Sequence, residues 1–183
     1  MVKIKITQDI KDFVAKFAEK QNIGGFSNLK KFDLNKASRL DFQYTGLYGE
    51  AAWYLWRHGS IEKLETLLLE KETEFKNTKK GDNGLDAIIN FNGIDKQVDI
   101  KSSYVDKEEK INTLNLVVPE REYHDDQIYV GAFTIGKSRK DIDEVVLKGW
   151  CLTEDIKDRW HYDRSKYAVK SKDLKDMDLL KKE

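Results

Sequence analysis

The chain contains very little cysteine, proline and histidine: among its 183 residues are one cysteine, one proline and three histidines. Because Cys151 is alone, an intramolecular disulfide and a zinc site built from several cysteines are excluded. Apolar runs of the length that a signal peptide or a membrane span needs are also missing. We therefore expect a protein of the reducing cytoplasm with no membrane partner.

The net charge is zero as well, because 33 basic and 33 acidic residues balance. Overall charge therefore neither favours nor excludes a nucleic-acid partner, and local clusters of basic residues carry more information. Three clusters are candidates for phosphate contacts or for solvated surface: Lys76, Lys79 and Lys80; Lys137, Arg139 and Lys140; and Arg164, Lys166, Lys170 and Lys172.

The length of 183 residues allows one hydrophobic core but hardly two. Internal repeats, linkers and low-complexity segments are not evident, so we predict a single domain over residues 1–183. Hydrophobic spacing predicts helices at 7–22, 46–59, 60–68 and 173–182, and strands at 71–78, 114–118, 128–135 and 145–152. Helices followed by a group of strands predict an α/β or α+β fold with a mixed central sheet flanked by helices.

A β-hairpin is predicted by the stretch GLDAIINFNGIDKQVDIKSS, residues 84–103. Asn92 and Gly93 suit a type I′ turn, because both tolerate the positive φ angles that this turn requires. With these two residues as the loop, Phe91 faces Ile94. Side chains alternate along a strand, which predicts a core-facing surface made of Leu85, Ala87, Ile89, Phe91, Ile94, Val98 and Ile100. Lys96 is an exception on this apolar face.

The other face of the hairpin is predicted to be polar, with Ile88 as its exception. It carries Asp86, Asn90, Asp95, Gln97, Asp99 and Lys101. Asp86 lies opposite Asp99, and like charges at a spacing of about 4.5–5.5 Å repel each other. Such a pair needs a nearby cation or a raised pKa. Lys101 and a divalent metal such as Mg²⁺ are the candidate cations, and the alternative is that all these groups are solvated on an exposed face.

The same residues resemble the signature of the PD-(D/E)XK nuclease superfamily, which has the restriction-endonuclease-like fold. Asp86 is similar to the first acidic residue of that signature, and Asp99-Ile100-Lys101 resembles the (D/E)XK triplet on the adjacent antiparallel strand. Residues 81–86, which precede this signature, and residues 99–103 also look like the corresponding segments of family members. Leu85 differs, because the motif has proline at that position. The resemblance is strongest over residues 44–135.

A third element of the resemblance is Glu50, in the segment GLYGEAAWYLWRHG at 46–59. Members of the family often carry a glutamate on an upstream helix in such a context. We expect Glu50 near the start of its helix. The alternative to a functional role is therefore a glutamate of the first turn that is stabilised by the helix dipole.

The resemblance implies an α-β-β-β-α-β core and a metal-dependent endonuclease that hydrolyses DNA phosphodiester bonds. It implies Asp86, Asp99, the Ile100 carbonyl and Glu50 as ligands of Mg²⁺, for which Mn²⁺ substitutes. Lys101 is implied to orient or help deprotonate the attacking water and to stabilise charge on the phosphoryl group. The residues implied to hold the nucleotide backbone are Gln97, Ser102 and Ser103.

A restriction-like, phage or mobile-element nuclease and a homodimer are all compatible with this interpretation. Two other classes of function stay open. One is a catalytically silent nucleic-acid-binding domain of the same fold, and the other is a non-enzymatic protein-interaction module. His124-Asp125-Asp126 is a further candidate metal cluster, for which a solvated turn is the alternative.

Overall fold

The helices and strands are given by a computed structural model that describes residues 1–24, 36–78, 86–156 and 166–181. In chain order they are β1 (Val2–Lys5), α1 (Gln8–Gly24), α2 (Lys36–His58), α3 (Glu62–Thr78), β2 (Ala87–Phe91), β3 (Ile94–Val105), β4 (Asn115–Pro119), β5 (Gln127–Ser138), β6 (Asp141–Leu152), β7 (Lys166–Lys170) and α4 (Asp178–Lys181). Short 3₁₀ helices lie at Glu108–Thr113, Glu120–Glu122, Thr153–Asp155 and Ser171–Asp173.

A five-stranded mixed sheet stands at the centre, with the strand order β1-β6-β5-β3-β2. Strands β3 and β5 run parallel, and the other neighbours in this sheet run antiparallel. A second sheet consists of the antiparallel pair β4 and β7. The predicted α+β class with a mixed sheet and flanking helices is confirmed at this level.

The main core lies between the central sheet and the helices α1 and α2, where apolar residues of both layers are buried together. Gly49 of α2 lets helix and sheet approach closely. A Cβ at this position would lie 1.9 Å from Ser102 Oγ and 3.3 Å from Ala132 Cβ. The opposite side of the sheet packs on the β4–β7 pair through a smaller cluster that includes Leu116, Tyr129 and Val169.

The β2–β3 hairpin has the predicted register, with Phe91 opposite Ile94 and Ala87 opposite Val98. Asn92 has a φ of 53° and Gly93 a φ of 79°, so both have the positive φ of the predicted turn. Leu85 of the predicted core face lies outside the described residues. Among the described residues of that face, Ile94 is the exception, because it is 59% exposed. It lies next to the turn, where Asn92, Gly93 and Asp95 are exposed as well.

Several predicted elements are wrong or differ in length. Residues 71–78 are not the first strand but continue α3. This helix is fixed by buried Leu64 and Leu68, and the Thr73 hydroxyl donates to the Leu69 carbonyl inside it. The first strand is β1, which pairs with β6. The strands predicted at 114–118, 128–135 and 145–152 are confirmed as β4, β5 and β6.

Helix α2 begins at Lys36, so Glu50 lies in its second half and not near its start. The first-turn interpretation of Glu50 is therefore wrong. The end of the helix is as predicted, since Gly59 has a φ of 73° and its N–H donates to the Leu55 carbonyl. The C-terminal helix is shorter than predicted because Lys175 pairs with Trp150 as an extended bridge before α4 begins.

The α-β-β-β-α-β order is not confirmed. The crossover from β3 to its parallel neighbour β5 contains two 3₁₀ helices and the strand β4, and no α-helix lies in this described stretch. Within the described residues, no helix is both long enough and apolar enough to cross a membrane.

Candidate functional site

Asp86 lies directly before β2, and both its main chain and its carboxylate bind neighbouring groups. Its N–H donates to the Val98 carbonyl over 3.1 Å, and its Oδ2 accepts from the Ile100 N–H over 2.7 Å. The carboxylate thus takes the place of the backbone acceptor that a longer β2 would offer. The Tyr54 hydroxyl donates to the Asp86 carbonyl over 2.8 Å, and Lys71 Nζ lies 3.8 Å from Oδ1.

Asp99 and Lys101 project from β3 on one side of the sheet and form a buried ion cluster with Glu122. Lys101 Nζ lies 2.6 Å from Asp99 Oδ2 and 2.7 Å from Glu122 Oε2. The Asp99 side chain is 4% exposed, the Lys101 side chain 17% and the Glu122 side chain 31%. One ammonium therefore bridges two carboxylates, of which one is almost fully removed from water.

Burial dominates the electrostatics of this cluster. It raises the pKa of Asp99 to about 7, against the opposing effect of Lys101, and the negative charges of Asp86 and Glu122 act in the same direction as burial. For Lys101, burial acts to lower the pKa, but the charges of Asp99 and Glu122 outweigh it and raise the pKa above its ordinary value. Lys101 is therefore an ammonium at neutral pH, while burial shifts the pKa of Asp99 towards neutrality.

Glu122 is the functional candidate that the sequence did not reveal. It ends the 3₁₀ helix Glu120–Glu122, and its carbonyl accepts from the Tyr129 hydroxyl over 3.0 Å. Tyr129 is the partner of Asp99 in the parallel pairing of β3 with β5. Glu122 follows Lys101 by 21 residues, so only the crossover between two parallel strands brings it to the cluster.

Glu50 belongs to the surroundings of Asp86 rather than to those of Asp99. Helix α2 packs on the side of the sheet that carries Ser102, whereas alternation places Asp99 and Lys101 on the other side. Burial and the negative charges of Glu50 and Asp86 raise the pKa of Tyr54 to about 12. Tyr54 thus lies within the electrostatic influence of both Glu50 and Asp86, and a role of Glu50 at a metal stays a prediction.

The predicted substrate-binding residues lie in different surroundings. Gln97 and Ser103 are exposed and share the face of Lys101. Ser102 faces α2, where Gly49 covers it and its Oγ is buried. Ile100 is buried and gives its N–H to Asp86.

Several other charged residues of the sequence form an exposed turn or an ion pair, or have side chains outside the described part of the chain. His124, Asp125 and Asp126 are exposed, which favours the solvated turn. Asp126 forms an ion pair with Lys96, and this pair explains how Lys96 is accommodated on the apolar face of the hairpin. The side chain of Lys76 and the residues Lys79, Lys80 and Arg164 lie outside the part of the chain that the structure describes, as does the side chain of Lys166.

Asp86 and Asp99 fit the requirements of Mg²⁺ by chemistry. This ion takes one or two carboxylates and completes its octahedron with water and phosphate oxygens. Among the described residues, no three or more His, Cys, Asp and Glu side chains are grouped so as to hold a metal ion. A pair of carboxylates alone suits an ion that is held jointly with a substrate phosphate, and metal binding by Asp86 and Asp99 stays a prediction.

In comparisons with known proteins, no protein-family model, curated protein or solved structure matches this chain. The features that bear on function are therefore the contacts and charges of Asp86, Asp99, Lys101 and Glu122.

Proposed function

We propose that this protein is a Mg²⁺-dependent endonuclease of the PD-(D/E)XK type that hydrolyses DNA phosphodiester bonds. One observation carries the proposal. The β2–β3 register brings the acidic residue before β2 beside the Asp99-Ile100-Lys101 triplet, whose lysine lies 2.6 Å from the aspartate. The mixed sheet, with helices on one side, is compatible with a restriction-endonuclease-like core.

Asp86 and Asp99 would hold the metal ion, and Glu50 and the Ile100 carbonyl are the further proposed ligands. When bound, Mg²⁺ supplies activation of a water molecule and neutralisation of phosphate charge. Asp99 must be deprotonated to act as a ligand, and Lys101 favours this charged form because it opposes the rise in pKa that burial causes.

Lys101 has a more restricted role than its position alone suggests. Because its pKa is raised, it stays protonated at neutral pH and is a poor general base. Its ammonium is suited to donate hydrogen bonds to the attacking water or to a phosphoryl oxygen and to stabilise the negative charge that develops there.

Binding of the DNA backbone is proposed for Gln97 and Ser103, which are exposed on the same face as Lys101. The turn between β5 and β6 offers a second basic surface. Lys137 and Lys140 are exposed there, and the Arg139 guanidinium lies 5.0 Å from the centre of the Phe42 ring. Such groups neutralise phosphates and make DNA affinity fall as salt rises.

The test combines metal titration with cleavage. Wild type, Asp99→Ala and the matched control Asp95→Ala are titrated with Mg²⁺ and Mn²⁺ by calorimetry and incubated with supercoiled, linear, single-stranded and branched DNA. Asp95 is exposed on the same hairpin. We expect wild type and Asp95→Ala to bind metal and cleave DNA, and Asp99→Ala to lose both, because it loses a ligand. Equal cleavage by Asp99→Ala would contradict the proposed mechanism.

The preferred substrate in the same panel distinguishes the biological roles. Cutting at defined sites in linear duplex supports a restriction-like enzyme, and a preference for branched DNA supports a role in phage or mobile-element recombination. An RNA arm is included, since the cluster chemistry acts on a phosphodiester of either nucleic acid.

A second candidate is a catalytically silent nucleic-acid-binding domain. The observation that favours it is the contact of Lys101 with Asp99, because the ammonium already occupies the side of the carboxylate where a cation would bind. DNA binding by wild type without metal binding or cleavage supports this candidate. A wild-type protein that binds neither metal nor nucleic acid would instead favour the protein-interaction module.

A further inference from the structure

We infer that Glu122 is the positioning residue of Lys101: it holds the ammonium beside the scissile phosphate when the Asp99 carboxylate turns to a metal ion. This inference rests on the proposed function. Its basis is the bridging geometry, in which Nζ lies 2.6 Å from Asp99 and 2.7 Å from Glu122.

Lys101 needs such a partner because its side chain is long and rotatable, and fixing it costs conformational entropy. The Asp99 carboxylate that now binds the ammonium would be shared with a bound metal ion, and the two cations would repel each other. Glu122 then becomes the carboxylate that keeps Nζ in place. Its oxygen at 2.7 Å has the length of a charge-assisted hydrogen bond.

The position of Glu122 is fixed by hydrogen bonds rather than left to a loose surface loop. The Tyr129 hydroxyl donates to the Glu122 carbonyl over 3.0 Å and accepts from the His124 N–H over 2.9 Å. The Thr153 hydroxyl contacts both the His124 carbonyl and the Gln127 main chain within 3.0 Å. The segment that carries Glu122 is thus tied to the start of β5 and to the end of β6.

The two carboxylates of the cluster have different exposure, which separates their roles. Asp99 is 4% exposed and Glu122 is 31% exposed. Replacement of Glu122 by glutamine therefore leaves a hydrated amide of the same shape at the edge of the cluster. We expect this variant to fold.

The activity test uses Glu122→Gln, Glu122→Asp and the matched control Glu120→Gln, which changes an exposed residue of the same 3₁₀ helix. Under single-turnover conditions, Glu122→Gln should cleave about 10–100-fold more slowly, the range found when an outer-shell group that orients a functional residue is lost. KM and Mn²⁺ affinity should stay near the wild-type values, Glu122→Asp should recover part of the rate, and Glu120→Gln should match wild type.

A double-mutant cycle separates positioning from a general structural role. In a Lys101→Ala background, Glu122→Gln should cause no further loss of rate, because the residue on which it acts is gone. Additive losses in the double variant would overturn the inference, and so would a wild-type cleavage rate for Glu122→Gln in the native background.

A readout without catalysis covers the case in which the proposed function fails. Acylation of individual lysines by a small amine reagent is followed by mass spectrometry in the metal-free proteins. Lys101 should react roughly threefold faster in Glu122→Gln than in wild type or Glu120→Gln, since one of the two groups holding Nζ is lost. An unchanged Lys101 rate shows that Glu122 does not hold it. Absence of cleavage by wild type on every substrate would remove the proposed function alone.

Discussion

Two lysines of this protein each lie between two carboxylates. Lys11 has exposed partners, Asp141 and Asp143, whereas Lys101 has the buried partner Asp99 beside Glu122. Lys11 Nζ is 2.5 Å from Asp141, and Lys101 Nζ is 2.6 Å from Asp99. The lysine side chains are about equally covered, at 20% and 17% exposure. Their partners differ, because the Asp141 side chain is 46% exposed and the Asp99 side chain only 4%.

The two aspartates have pKa values shifted in opposite directions. The hydrogen bond from Lys11 lowers the pKa of Asp141, whereas burial raises the pKa of Asp99 to about 7 in spite of Lys101. Each lysine therefore favours the charged form of its aspartate, but at Asp99 the exclusion of water outweighs this effect and favours the protonated form. Burial, and not the presence of a lysine, distinguishes a candidate site from an ordinary surface ion pair.

The largest expected difference between the two lysines is in catalysis. Lys101→Ala should reduce the rate of plasmid nicking by about 10²–10⁴-fold, the usual contribution of a group that stabilises charge in the transition state. Metal affinity should survive or rise, because a like charge leaves. Lys11→Ala, the matched control, should nick at the wild-type rate. A Lys101→Ala protein that keeps pace with wild type under both Mg²⁺ and Mn²⁺ would remove Lys101 from the mechanism.

A smaller difference is expected in stability. At pH 8, Lys101→Ala should lower the free energy of unfolding by about 3 kcal/mol, because it leaves a buried carboxylate without its cation. At pH 5.5 the loss should shrink, since Asp99 then takes up a proton. Lys11→Ala should shift the urea midpoint much less, because its partners stay hydrated. Equal midpoints for the two variants at pH 8 would show that burial does not separate the clusters.

The last expected effect is on the dependence of stability on pH. Asp99 has its pKa raised from 3.8 to about 7 by folding, so the folded state binds more protons between these values, and this contribution to stability is lost as pH rises from about 4 to about 7. Asp99→Asn should flatten this slope in denaturation measurements. Asp141 has a lowered pKa, so its contribution is present above about pH 4 and lost at lower pH, and Asp141→Asn should change only the acid end.

Local sequence signals predicted the hairpin. Glu122 and the burial of Asp99 depend on contacts between residues that are distant in sequence. The register of β2 with β3 follows from Asn92-Gly93 and from alternation within twenty residues, and the structure confirms it. Glu122 could not be predicted, because a loop residue has no periodicity and joins Lys101 only through the β3–β5 pairing. The burial of Asp99 depends likewise on distant parts of the chain, because its strand neighbour Tyr129 in β5 packs against the β4–β7 pair on that side of the sheet.

The start of α2 was missed for a different reason. The prediction took the apolar segment from residue 46 as the whole helix, whereas the helix begins at Lys36. Buried Tyr44 and Leu47 continue the helical contacts towards the N-terminus through a stretch of mixed polarity. Tertiary packing therefore lengthened the helix beyond its apolar part, and this moved Glu50 from a first turn to the second half.

The position of β2 at the end of the sheet has a consequence for handling the protein. Among the residues that the structure describes, it is the last strand in the order of the central sheet, and Ile88 and Ile94 at the hairpin are 60% and 59% exposed. An outer strand with exposed isoleucines is a template on which other chains can add, and natural sheets counter this with short edge strands and with lysine. β2 is short, at five residues, but its exposed position 88 is occupied by isoleucine rather than by a lysine that would oppose pairing with another chain. Concentrated solutions should therefore begin to aggregate at this hairpin.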